Sequence, residues 1–117
     1  MEFCYDESEH DVLIIRADGG LNSQNVSKFV GDLQGLIDGG LTKIIVDCSA
    51  LEYVSSYGLG VLVGLHGRLK KRGGDIKLAG LKGTLVDLLQ LSRLNTLFDI
   101  YPDVNRARLA FRPKDAR

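Results

Sequence analysis

Apolar positions along this chain recur in two periods. After Ser23, the residues Val26, Phe29, Val30, Leu33, Leu36 and Ile37 repeat at helical spacing. They predict an amphipathic helix with Ser23 as its N-cap and Gly39-Gly40 as its stop. A second helical run spans Ser56 to Arg72 and ends at Gly73-Gly74. Its expected core stripe is Leu59, Leu62, Val63 and Leu69, with Val61 and Leu65 off that stripe. A third helix starts at Thr84 with Leu85, Leu88 and Leu89, and a fourth follows Pro102-Asp103 with Val104, Ala107 and Phe111 on one face.

Between these runs the period changes to that of strands. Phe3 to Tyr5 and Val12 to Ala17 read as a hairpin joined by Glu7-Ser8-Glu9-His10, with Gly19-Gly20 breaking the second strand. Lys43 to Asp47 is a short β-branched run, as expected of a strand buried on both faces. Asp75 to Ala79 and Leu97 to Tyr101 complete the set. The order β-β-α-β-α-β-α-β-α contains successive strand–helix–strand units, which imply right-handed crossovers and parallel pairing. The expected fold class is α/β: one domain over residues 1–111, a mixed β-sheet with parallel crossovers and about four helices packed on it. Residues 112–117 form a polar C-terminal tail.

Two features of the second helix need chemistry. Ser55, Ser56 and Tyr57 stand at a strand-to-helix turn, where backbone N–H groups are unpaired and the helix dipole favours negative charge. A hydroxyl there can cap the helix, help to bind a phosphate, or itself carry one. Gly58, Gly60, Gly64 and Gly67 also crowd one helix, at roughly 1 kcal/mol each relative to Ala in a helix interior. Glycine is worth that cost where another backbone comes close or where a partner docks.

Composition narrows the function classes. Of the 117 residues, fifteen are acidic and fifteen basic, so nothing points to nucleic acid or to an anionic membrane. No apolar run approaches the ~20 residues that span a bilayer. Met1-Glu2-Phe3-Cys4 does not read as a secretion signal, and a cytoplasmic protein without membrane insertion is expected. Cys4 and Cys48 read as reduced, buried thiols. His10 and His66 form no ligand-spaced pair, so no metal or cofactor is expected. Ser56, His66 and Asp47 make no triad, because His66 lies roughly 15 Å along the helix from Ser56 at 1.5 Å per residue. The chain is not expected to be an enzyme.

Asp47, then Ser56-x-Gly58-Leu59-Gly60-Val61-Leu62, then Lys70-Lys71-Arg72-Gly73-Gly74 resemble the core of a STAS domain. The resemblance continues through Ile76-Lys77-Leu78 and Leu88-x-x-Leu91-x-x-Leu94-x-x-Leu97-Phe98, and covers residues 3–111. STAS domains occur in bacterial anti-sigma-factor antagonists and in the cytoplasmic tails of sulphate transporters. The resemblance to the antagonists implies a partner switch. The domain would bind an anti-sigma factor that is also a serine kinase, phosphorylation would break the complex, and a serine phosphatase would restore it. Aligning the glycines places the phosphoacceptor at Ser56. The implied partner-binding residues are Asn22, Ser23, Ser55, Ser56, Tyr57, Gly58 and Leu59, and a homodimer is compatible with the pattern. Ser55 stands where the family usually has Asp, Tyr57 where it has Ser or Thr, and Asn22 where it often has Asp. The alternative is a non-switching docking subunit of a transport or stress-signalling complex.

Overall fold

In the computed structural model the strand-like runs lie side by side in one sheet. The elements are β1 (Glu2–Tyr5), β2 (Val12–Leu21), α1 (Ser23–Asp38), β3 (Lys43–Val54), α2 (Ser56–Lys71), β4 (Asp75–Ala79), α3 (Thr84–Leu91), a 3-10 turn (Leu94–Thr96), β5 (Asp99–Tyr101) and α4 (Val104–Ala110). The structure describes residues 2–5, 11–21 and 23–111, with side chains described for 11–20 and 26–111. The hairpin link at residues 7–10, the side chain of Cys4, and the tail at 112–117 lie outside that description.

The strands are ordered β1-β2-β3-β4-β5 across the sheet. β1 pairs antiparallel with β2, and β2 through β5 are mutually parallel. Each parallel step is made by one helix. Successive right-handed crossovers in one direction put α1, α2 and α3 on the same face. There Leu13, Ile15, Ile44, Val46, Ile76 and Leu78 meet Phe29, Leu33, Leu62, Leu65, Leu69 and Leu85 in the main core. The intervening strand residues face the other way. Val12, Ile45 and Ala79 are buried with Ala107 of α4, and Val104 and Phe111 pack against them. The run Ile44-Ile45-Val46 is therefore apolar throughout because both faces are covered. Each fully buried Leu or Ile contributes roughly 1.5–3 kcal/mol.

Both long helices end as the glycine pairs predict. At the end of α2, Gly73 N–H donates to Lys70 O at 3.1 Å and Gly74 N–H to Leu69 O at 2.8 Å. The φ of 78° at Gly73 makes this a Schellman motif. The end of α1 repeats it, with Gly40 N–H on Ile37 O and Leu41 N–H on Leu36 O.

Four expectations need correction. Gly19-Gly20 do not break β2, which continues to Leu21 through register shifts near these glycines. The Tyr53 ring fills the space a Cβ on Gly20 would need, so the glycine admits the ring rather than ending the strand. β3 continues past Asp47 to Val54, paired beyond that point with β2 alone among the described strands. The last strand is Asp99–Tyr101, with Phe98 buried just before it. α1 begins at Ser23 itself, so Ser23 is its first residue and not its cap. No helix among the described residues is long and apolar enough to cross a membrane.

Candidate functional site

The turn between β3 and α2 carries the candidate site. Ser55 has extended backbone (φ −74°, ψ 164°), and its Oγ accepts from Gly58 N–H at 3.0 Å. Ser55 is thus the N-cap. Of the hydroxyls that could cap the helix, Ser55 does so; two adjacent hydroxyls look alike in sequence and backbone geometry separates them. Ser56 is the first helical residue. It is exposed, and its hydroxyl has no hydrogen bond to another described residue. Tyr57 beside it is 51% exposed. The first turn of α2 contains no acidic residue.

Gly58 is buried, supplying the N–H that Ser55 captures, while Leu59 is half-buried against the main core. Ser55 to Leu59 are thus contiguous at one end of the sheet. Asn22 lies outside the described residues, as does the side chain of Ser23, although the backbone of Ser23 opens α1.

Beyond the turn, α2 departs from its expected stripe. Leu62, Leu65, His66 and Leu69 are buried, whereas Val63 is exposed. The buried face is rotated so that Leu65 joins the core. Three of the four glycines do not serve close backbone packing among the described residues. Gly60, Gly64 and Gly67 are exposed, and a Cβ on any of them would meet nothing within 4 Å. Gly60 and Gly64 instead form the low wall of a groove of about 450 Å³ between α1 and α2. Val30, Val61 and Leu65 line it, with Tyr57 and Arg68 also on its margin.

The opposite end of α2 is tied by charge. Arg68 donates to Gln34. Arg72 donates to Ile37 O at 3.0 Å and pairs with Asp38 at 3.5 Å. Lys70 approaches Asp75 at 3.5 Å. Asp75 also accepts from the buried Lys77 at 3.1 Å, and Lys77 donates to Asp99 at 3.0 Å. The rings of Tyr101 and Phe111 lie 5.6 Å and 4.7 Å from the Lys77 ammonium. Burial opposes the Lys77 charge, but the hydrogen bonds to Asp99 and Asp75 outweigh it and hold its pKa above the ordinary lysine value. Hydrogen bonding to Lys77 holds the Asp99 carboxyl below its ordinary value. The alternation Asp75-x-Lys77 was the only signal of this cluster in the sequence, and Asp99 joins it only through strand pairing.

His66 lies in this tied half, edge-on to Phe98, with Nε2 3.7 Å from Asp75. It is buried, and it stands about three helical turns from Ser56. Asp47 accepts from Ser49 N–H at 3.1 Å, so its carboxylate closes a local turn. Burial pushes the Cys48 thiol up to about 12, with the Asp47 carboxylate adding to the effect, which leaves it un-ionised and unreactive.

Comparison with known proteins agrees with this fold. The sequence profile of the STAS domain matches residues 6–107. BtrV of Bordetella bronchiseptica, a candidate anti-sigma factor antagonist, is 27% identical over 101 residues, covering 86% of this chain and 87% of BtrV. The crystal structure of a candidate anti-sigma factor antagonist from Thermotoga maritima superposes with a TM-score of 0.87 at 24% identity, covering 96% of this chain and 94% of that one. The Bacillus cell-fate determinant SpoIIAA in its phosphorylated form superposes with a TM-score of 0.74 at 21% identity, covering 95% of this chain and all (100%) of that one.

Proposed function

Since the chain belongs to the STAS domain family, we propose that it is an anti-sigma-factor antagonist working by a partner switch. It binds an anti-sigma factor with serine kinase activity, and phosphate on Ser56 releases that partner. A serine phosphatase resets the cycle in the cytoplasm. The contact face comprises Asn22, Ser23, Ser55, Ser56, Tyr57, Gly58 and Leu59.

One observation carries this reading. Ser55 already caps α2, which leaves the exposed Ser56 hydroxyl with no structural task among the described residues. Modifying it breaks no cap. A phosphate brings about −1.5 to −2 charges at neutral pH. The helix dipole tolerates that charge by about 0.3–1 kcal/mol. With no acid in the first turn, the phosphate becomes its dominant charge. An acidic or apolar partner surface seated there is then repelled or left facing an unpaired charge.

The test begins with affinity capture from the source cells and phosphosite mass spectrometry on the same bait. The captured kinase is then titrated against Ser56→Ala and Ser56→Asp. The switch predicts phosphate on Ser56 and at least about tenfold weaker binding of Ser56→Asp, which corresponds to about 1.4 kcal/mol. Phosphate on Ser55 or Tyr57 instead, or equal binding by both variants together with an unmodified Ser56, would sink it. The second outcome is what a docking module without a switch requires, and the bulky, half-exposed Tyr57 beside the acceptor is the feature that favours that module.

A further inference from the structure

A strip of surface beside α3 differs from both ends of α2. Residues 52–54 of β3 run beyond the last β3–β4 pair, Asp47 with Ala79, and α3 lies alongside them. Between the two is an open groove of about 350 Å³. Its apolar surface includes Tyr53, Leu88 and Leu91, and Leu91 is 85% exposed. Its charged residues are Glu52 and Asp87, both exposed and neither ion-paired with a described residue. No basic side chain among the described residues lines it.

A single exposed leucine is ordinary. Two leucines and a tyrosine meeting along one groove, edged by carboxylates of one sign, form a surface with a definite complement. We propose that this groove docks a protein segment presenting an apolar side chain flanked by lysine or arginine. The apolar residue covers Leu88 and Leu91, and the basic groups meet Glu52 and Asp87. The groove is continuous with the proposed partner face, because Val54 lines it and is followed at once by the cap Ser55. The inference therefore deepens the proposed function and rests on it for the face, giving the chemistry of the partner's second contact. An acidic segment is excluded by the same carboxylates.

The probe is a helical peptide of alternating Leu and Lys faces, with a Leu/Glu peptide of equal length as its counterpart. Each is titrated into the isotope-labelled chain and followed by NMR. The Leu/Lys peptide is expected to shift the resonances of Tyr53, Leu88 and Leu91, and the Leu/Glu peptide to leave them in place. The double variant Glu52→Gln/Asp87→Asn should weaken the Leu/Lys peptide about two- to thirtyfold, the range for two exposed ion pairs. Leu91→Ser should weaken it independently of salt. Asp32→Asn, an exposed acid on α1, should leave affinity unchanged. Shifts mapping elsewhere, equal binding of both peptides, no binding of either, or an equal loss from Asp32→Asn each overturn the proposal. No kinase takes part, so failure here leaves the Ser56 switch standing, and an unmodified Ser56 leaves this result intact.

Discussion

At its C-terminal end α2 is tied on several sides: to α1 through Arg68 and Arg72, to β4 through Lys70 and Asp75, and to the segment before β5 through His66 and Phe98. At its N-terminal end a single hydroxyl, that of Ser55, closes the helix, and the glycines that follow leave one wall open. One helix thus joins an anchored half to a half whose outer surface no described residue covers. The anchored half holds the position of the turn. The other half spends stability on open glycines and on a serine with no hydrogen-bond partner among the described residues, which is where the proposed partner face lies.

The largest test of the contrast is at the anchored end. Leu69 is fully buried, and Leu69→Ala should cost about 2–5 kcal/mol in chemical denaturation. At the other end Ser55→Ala should cost about 1 kcal/mol by loss of the cap, while Ser56→Ala should stay within about 0.5 kcal/mol. Equal effects at the two serines would contradict the capping assignment. Gly64→Ala should raise stability by about 0.5–1 kcal/mol, since the added methyl meets nothing within 4 Å. If the same variant weakens the captured partner, the groove beside α1 belongs to the contact face.

A small effect at neutral pH is expected from Asp99→Asn, at or below about 1 kcal/mol, because this carboxylate is more than half exposed. Its signature is the pH profile. The folded-state pKa of Asp99 is depressed, so its contribution is present above the ordinary aspartate value and is lost as pH falls through the folded value. The variant should therefore flatten the fall in stability below about pH 4. An unchanged acid limb would remove Asp99 from the set of stabilising ion pairs.

Much of the fold was legible because local signals agreed with the global one. Gly39-Gly40 and Gly73-Gly74 mark helix ends through the same hydrogen-bond motif, and Ile44-Ile45-Val46 declares a strand covered on both faces. The extension of β3 was hidden. Ser49-Ala50-Leu51-Glu52 has no strong strand pattern, and its pairing comes from β2 across the sheet. The face of α2 was misjudged because Val63 and Leu65 are both apolar, and burial depends on which direction the sheet lies. The serine that caps and the serine left free are chemically alike, and only the turn's dihedral angles distinguish them. The Lys77 cluster gathers groups from two strands and a helix, so no window of sequence contains it.

The lopsided pairing of β3 has a consequence for motion. Residues 43–47 are bonded to a strand on each side, whereas residues 48–54 have β2 on one side and, on the other, side chains of α3 and the local Asp47–Ser49 turn. Amides of the first segment open only when the sheet itself opens, while those of the second that point away from β2 open whenever α3 lifts. A single strand should then show two classes of hydrogen exchange, with the boundary near Cys48. The faster class leads directly into the Ser55 turn, so the turn is mounted on a piece of backbone that moves before the rest of the sheet does.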